Sequence, residues 1–221
     1  MKDFQHARPL FERALVVDEK AFPKGNPYLA NDKGNLGRLL LELGNYPAAL
    51  AHLEGVLAIN EKGRGPQDGV VALDLQVVSD LYAKLGRQAE ALQAGQRSLS
   101  IQEKVMGTDH VEVSVALETL SSRYFETAQY QKSLDVLGRA LAIVEKALGP
   151  THVEVAEVLQ GMADSQVQLG SLSEAGRNYD RALSIQEAVF GPTHVKVGES
   201  LLKLAKLNWR TGKWEAALDH S

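Results

Sequence analysis

The stretch Gly149-Pro150-Thr151-His152-Val153-Glu154-Val155 returns almost unchanged from Gly191 to Val197, where only Lys196 replaces the glutamate, 42 residues further on. A histidine at the centre of a repeated phrase invites a catalytic or metal-binding reading, but the interval points elsewhere. His110, His152 and His194 stand 42 residues apart, and so do Gly107, Gly149 and Gly191. A second column follows the same ladder: Leu43-Gly44, Leu85-Gly86, Leu169-Gly170 and Thr211-Gly212, with Thr127-Ala128 on the remaining rung. A third runs Leu57-Ala58-Ile59-Asn60-Glu61, Leu99-Ser100-Ile101-Gln102-Glu103, Leu141-Ala142-Ile143-Val144-Glu145 and Leu183-Ser184-Ile185-Gln186-Glu187, with Leu15 to Glu19 as a looser copy. Three independent columns on one period define an internal repeat.

Within one unit, Val71, Leu75, Val78, Tyr82 and Leu85 keep the 3.6-residue spacing of an amphipathic helix A that stops at Gly86. Ala91, Leu92, Gly95, Ser98, Leu99, Gln102 and Val105 outline a longer helix B that ends at Gly107. A single helical hairpin cannot bury its own apolar face, so successive units are expected to stack. Small residues recur where the two helices must approach: Ser79, Ser121, Ala163 and Ala205 on helix A, and Ala7, Ala49, Ala91, Ser133, Ala175 and Ala217 on helix B. An aromatic often follows the turn, as at Tyr46, Tyr130 and Trp214. This Gly-x-aromatic-x-x-Ala pattern resembles the tetratricopeptide repeat, whose usual unit is about 34 residues. The phrase from Tyr130 to Ala156 looks like the longer variant found in kinesin light chains and many signalling proteins. The resemblance covers essentially the whole chain and implies an all-α, right-handed superhelical solenoid of tetratricopeptide-type hairpins. The expected units are helix B of a first, incomplete repeat at 1–24, full repeats at 25–66, 67–108, 109–150 and 151–192, and an incomplete last repeat at 193–221.

Composition narrows the chemistry. With 24 basic against 28 acidic residues the net charge of −4 gives no broad positive field for nucleic acid. No cysteine is present, which excludes disulfides, thiolate nucleophiles and cysteine-based metal sites. The N-terminal residues mix charges with apolar groups, and no segment approaches the ~20 apolar residues of a membrane span. No membrane association and a cytoplasmic location are the expectation.

Reading the histidine column along the chain gives Asn26, Asp68, His110, His152 and His194, followed by Pro27, Gly69, Val111, Val153 and Val195. Asn and Asp are strong N-cap residues, Pro suits the first helical position, and a neutral imidazole can accept a backbone N–H. The column therefore reads as a helix cap. Glu61, Glu103, Glu145 and Glu187 read as a solvated outer face. The glycine cluster from Gly63 to Gln67 lacks the Lys-Ser/Thr end of a phosphate loop, and no strained nucleophile turn is evident. No catalytic residue, metal or cofactor is expected, and the chain is read as a non-enzyme.

Stacked A helices create an extended concave groove suited to a peptide or partner protein. Kinesin light chains carry an LNNLA phrase on helix A whose two asparagines contribute to their peptide groove. The matching positions are Gly34-Asn35, Gln76-Val77, Glu118-Thr119, Gln160-Gly161 and Leu202-Lys203, of which only Asn35 keeps the asparagine. With the residues one turn along, the candidate groove comprises Asn35, Arg38, Gln76, Asp80, Glu118, Ser122, Phe125, Gln160, Asp164, Lys203, Lys206, Trp209 and Arg210. Its middle reads as acidic and its C-terminal end as basic, so a bound segment is expected to place basic residues over the former and an acidic group near Lys203 and Arg210. The primary expectation is a scaffold or adaptor. A self-assembling segment with apolar ends, and the recruitment arm of a larger signalling enzyme, are the alternatives.

Overall fold

The structure, a computed structural model, describes residues 4–212, with side chains from residue 6 onward. The expected final B helix from Trp214, with Lys213 and Ala217, lies outside the described residues. Among those described are ten α-helices and no strand: α1 (Phe4–Ala21), α2 (Pro27–Glu42), α3 (Tyr46–Arg64), α4 (Gly69–Lys84), α5 (Gln88–Met106), α6 (Val111–Glu126), α7 (Tyr130–Leu148), α8 (Val153–Leu169), α9 (Leu172–Phe190) and α10 (Val195–Arg210). The fold class is all-α, as the repeat pattern predicts. The chain divides into two compact units, residues 1–108 and 109–221, at a border between repeats.

In the first unit α2 pairs with α3 and α4 with α5, while α1 packs on α2 and α3 on α4. In the second, α6 pairs with α7 and α8 with α9, while α7 packs on α8 and α9 on α10. The even-numbered helices from α2 onward are thus the A helices and the odd-numbered ones the B helices.

Each A helix starts at the predicted column. Asn26 and Asp68 accept from the backbone N–H of Tyr28 and Val70 through their side-chain oxygens at 2.9 and 2.8 Å. His110, His152 and His194 do the same through Nδ1, accepting from Glu112, Glu154 and Lys196 at 3.2, 3.3 and 3.2 Å. Five residues of three chemical types perform one task, satisfying a first-turn N–H that the helix cannot satisfy itself. At the other end of most A helices a glycine with positive φ reverses the chain, for example Gly86 at +75°. Ala128 occupies that rung with φ +56°. A left-handed conformation costs an L-residue about 1–2 kcal/mol, and glycine's extra chain entropy returns part of the gain. Ala128→Gly is therefore expected to stabilise the protein by about 0.5–1 kcal/mol, read as a raised urea midpoint with an unchanged slope.

The small residues do allow close approach. Ser79, Ala91, Ser133, Ala163 and Ala175 are buried. Ser79 Oγ donates to the carbonyl of Ala91 at 2.8 Å, and Ser121, Ser133 and Ser165 form a hydroxyl chain at 3.2 and 3.1 Å. Gly37 holds the first position of this column, where a Cβ would stand 2.8 Å from Leu53 Cγ.

Two members of the glutamate column correct their sequence reading, while Glu187 is exposed as expected. Glu61 pairs with Arg97 at 2.5 Å and Glu145 with Arg181 at 2.6 Å, and all four are partly buried. Arg97 and Arg181 also donate to the carbonyls of Pro66 and Pro150. These glutamates tie one B helix to the next instead of lying on a solvated face. The partner is 36 positions away, beyond the reach of a local charge pattern. No helix among the described residues is long and apolar enough to cross a membrane.

Candidate interaction faces on the A helices

The A helices keep exposed residues, among them Asn35, Asp80, Ser122 and Lys206, while Gln76, Glu118, Gln160, Asp164 and Lys203 are half-buried. In the first unit α2, α3 and α4 enclose a cleft of about 480 Å³. On its polar side Asn60 donates through Nδ2 to Asp74 Oδ2 at 2.6 Å. Burial pushes the Asp74 carboxyl up, opposed by the Asn60 bond and by Arg64 and Arg38. Arg38 donates from Nε to the carbonyl of Gly34 at 3.3 Å. Leu73 and Val77 supply exposed apolar walls. Of the predicted residues in this unit only Arg38 lines the cleft. Asn35 and Asp80 are exposed elsewhere and Gln76 is half-buried. Asn60, Arg64 and Asp74 were missed because Asn60 sits inside a repeated phrase that reads as structural.

In the second unit Ser122, Phe125, Glu126 and Asp164 line a smaller cleft of about 250 Å³. The Phe125 ring meets Tyr130 edge-on at 5.2 Å, so it packs as well as lines. Asp164 receives the Tyr179 hydroxyl and holds the Lys203 ammonium at 2.7 Å. Burial, followed by Asp164, pushes the Tyr179 hydroxyl far above the phenolic range. The acidic middle and the basic end, expected apart, meet in this pair. Lys206, Trp209 and Arg210 are exposed on α10.

One column explains much of the difference between the repeats. Gln160 on α8 donates through Nε2 to Gln186 Oε1 on α9 and to Ser200 Oγ on α10. Ser200 in turn donates to Gln186, and both are buried. Moving back by one repeat, the corresponding positions are Glu118, Val144 and Val158, with both valines fully buried. The Glu118 carboxyl thus stands where an amide would find polar partners, and its own column offers methyl groups. Burial pushes it up to about 7, with Glu157 and Glu154 adding like-charge repulsion. Glu157 itself pairs with Lys196. A further repeat back lie Gln76 and Gln102, whose buried Nε2 and Oε1 have no hydrogen-bond partner among the described residues. In the first full repeat the column reads Gly34, Asn60 and Asp74, so its first position carries no side chain, and the Arg38 guanidinium lies beside it. That position lines the 480 Å³ cleft.

No group of three or more His, Asp or Glu residues able to hold a metal ion occurs among the described residues. Helical hairpins that repeat every 42 residues with shared caps and small contact residues define a helical repeat protein. The chain belongs to the tetratricopeptide repeat family, whose model matches residues 1–62, 28–104, 71–146 and 165–221. Members of this family generally mediate protein–protein interaction and are typically non-enzymatic. No match was found among curated proteins. Among solved structures, one from Podosopora anserina, described as a kinesin light chain with nearly identical TPR-like repeats, is 21% identical with a TM-score of 0.75, covering 85% of this chain and 89% of that one. BtubC (BKLC) from P. vanneervenii is 15% identical with a TM-score of 0.80, covering 100% of this chain and 89% of that one. The apo form of RapI is 13% identical with a TM-score of 0.76, covering 95% of this chain and 56% of that one. At such identities the likeness concerns the fold alone.

Proposed function

We propose that this chain is a non-enzymatic scaffold or adaptor, acting in the cytoplasm, that binds a peptide or partner protein along the exposed face of its A helices. The observation that carries this reading is the contrast within the repeat. Caps, small contact residues and inter-repeat ion pairs recur from unit to unit, whereas the A-helix face changes chemistry at each step and opens into clefts of about 480 and 250 Å³. A surface that served stacking alone would have no cause to vary in this way. Mixed polar and apolar walls suit an extended segment whose side chains are read one or two per repeat.

The test is to pan a displayed random peptide library against the intact chain and measure the enriched peptides on two variants. Ser122→Arg places bulk and charge on the exposed A-helix face of the second unit, and Ala142→Arg does so on an exposed B-helix position. Peptides seated near α6 should lose at least about tenfold in affinity on Ser122→Arg, equivalent to about 1.4 kcal/mol, and none on Ala142→Arg. A library with no enriched peptide, or peptides sensitive only to Ala142→Arg, overturns the reading.

A further inference from the structure

The cleft of the first unit has an occupant already drawn elsewhere in the chain. In the second unit Gln160 reaches from helix A between the next two helices, its amide donating to Gln186 Oε1 and Ser200 Oγ. In the first unit the same three positions are Gly34, Asn60 and Asp74. The two acceptors are therefore present in altered form, as an amide oxygen and a carboxylate, while the side chain that would use them is missing.

We infer that this cleft is a recognition pocket for a glutamine side chain of the partner polypeptide, which enters the space that Gly34 leaves and takes the part of Gln160. The inference deepens the peptide-binding reading and rests on it. Three features favour a carboxamide. Asn60 Nδ2 donates to Asp74 Oδ2, which leaves Asp74 Oδ1 and Asn60 Oδ1 as acceptors for an entering NH₂ group. The guanidinium of Arg38 lies beside Gly34, its Nε donating to the Gly34 carbonyl and its Nη2 3.5 Å from where a Cβ on residue 34 would sit, and supplies a donor for the entering carbonyl oxygen. The cleft also balances against a full charge of either sign. A lysine would meet Asp74 but also Arg38 and Arg64, while a glutamate would meet the two arginines at the cost of facing Asp74. A neutral group that both donates and accepts satisfies every wall. Leu73 and Val77, both substantially exposed, would cover the apolar stem and the flanking backbone.

Gly34→Gln provides the decisive variant. A Cβ at residue 34 meets its neighbours at 3.5 and 3.9 Å, ordinary contact distances, and replacing a mid-helix glycine favours the helix. The variant should fold and fill its own pocket. The probes are the methylamides of N-acetylglutamine, N-acetylglutamate and N-acetyllysine, titrated into the ¹⁵N-labelled chain. The glutamine probe should shift the amides of residues 34, 60 and 74 with an affinity in the millimolar range, on the order expected for so small a ligand. The other two probes should bind at least about tenfold more weakly, and Gly34→Gln should abolish the effect. Peptides enriched by panning that lose affinity on Gly34→Gln should share a glutamine. Tighter binding of the glutamate or lysine probe, or shifts that persist in Gly34→Gln, overturns the pocket. Absence of binding by every probe overturns it as well. Panned peptides that respond to Ser122→Arg but ignore Gly34→Gln would leave the groove reading standing while this inference fails. Probe binding at residues 34, 60 and 74 without any enriched peptide would overturn the groove reading and, with it, the assignment of this pocket to a partner polypeptide.

Discussion

Replacing Glu118 by Gln should stabilise the protein above pH 8 by about 2–3 kcal/mol and remove the part of its stability change between pH 4.5 and 7 that this carboxyl contributes. The sign follows from the site. Glu118 carries a carboxyl whose folded value is about 7 against an ordinary 4.5, first because it is buried and then because Glu157 and Glu154 are near. A raised carboxyl means that the folded state holds the proton more firmly than the unfolded one. The native state is therefore favoured below about pH 4.5, and this advantage is lost as pH rises through 7. An amide at position 118 cannot ionise, so the loss should vanish from this source. Urea unfolding at pH 5 and pH 8 checks it: the unsubstituted chain and Glu118→Gln should diverge at the higher pH and converge at the lower. A second substitution tests the cause. Val144→Gln with Val158→Ser gives Glu118 the partners that Gln186 and Ser200 give Gln160, and the carboxyl should return toward its ordinary range, read by carboxyl ¹³C shifts. If it stays near 7, the valine pair is not what raises it.

Asp164→Ala should cost about 2 kcal/mol, and the larger share comes from a group that is not charged. The Tyr179 hydroxyl is buried and gives its hydrogen bond to Asp164. Truncation leaves that hydroxyl without its acceptor, at about 1–3 kcal/mol. The Lys203 pair is half-exposed, and pairs of that kind contribute about 0–1 kcal/mol. Asp164→Asn keeps an acceptor for Tyr179 and should recover most of the loss, while Lys203→Ala should cost little. Should Lys203→Ala prove as damaging as Asp164→Ala, the ion pair and not the tyrosine holds this part of the second unit. The same geometry means that reversing the charge of Asp164 would probe stability before it probed binding.

Much of the architecture was legible in the chain because the repeat writes it several times. Caps, turns and small contact residues each recur at a fixed interval, and a column containing Asn, Asp and His can share only a task common to all three, which is to accept a backbone N–H. The groove was less legible because its chemistry is set by pairs far apart in sequence. Asp164 and Lys203 are 39 positions apart. Glu118 looks like a solvated acid until Val144 and Val158 are placed on its column. Gly34 reads as a lost asparagine, whereas with Asn60 and Asp74 it forms a cavity. Glu61 and Glu145 were misread for a related reason, since their arginine partners belong to the following hairpin.

The central claim is that ligands bind the A-helix face, and differential amide hydrogen exchange tests it most directly. The intact chain would be compared with and without a saturating panned peptide. The account predicts added protection concentrated in α2, α4, α6, α8 or α10 and the cleft residues beside them. Added protection confined to the outer turns of the B helices α3, α5, α7 and α9, with the A helices unchanged, would contradict it.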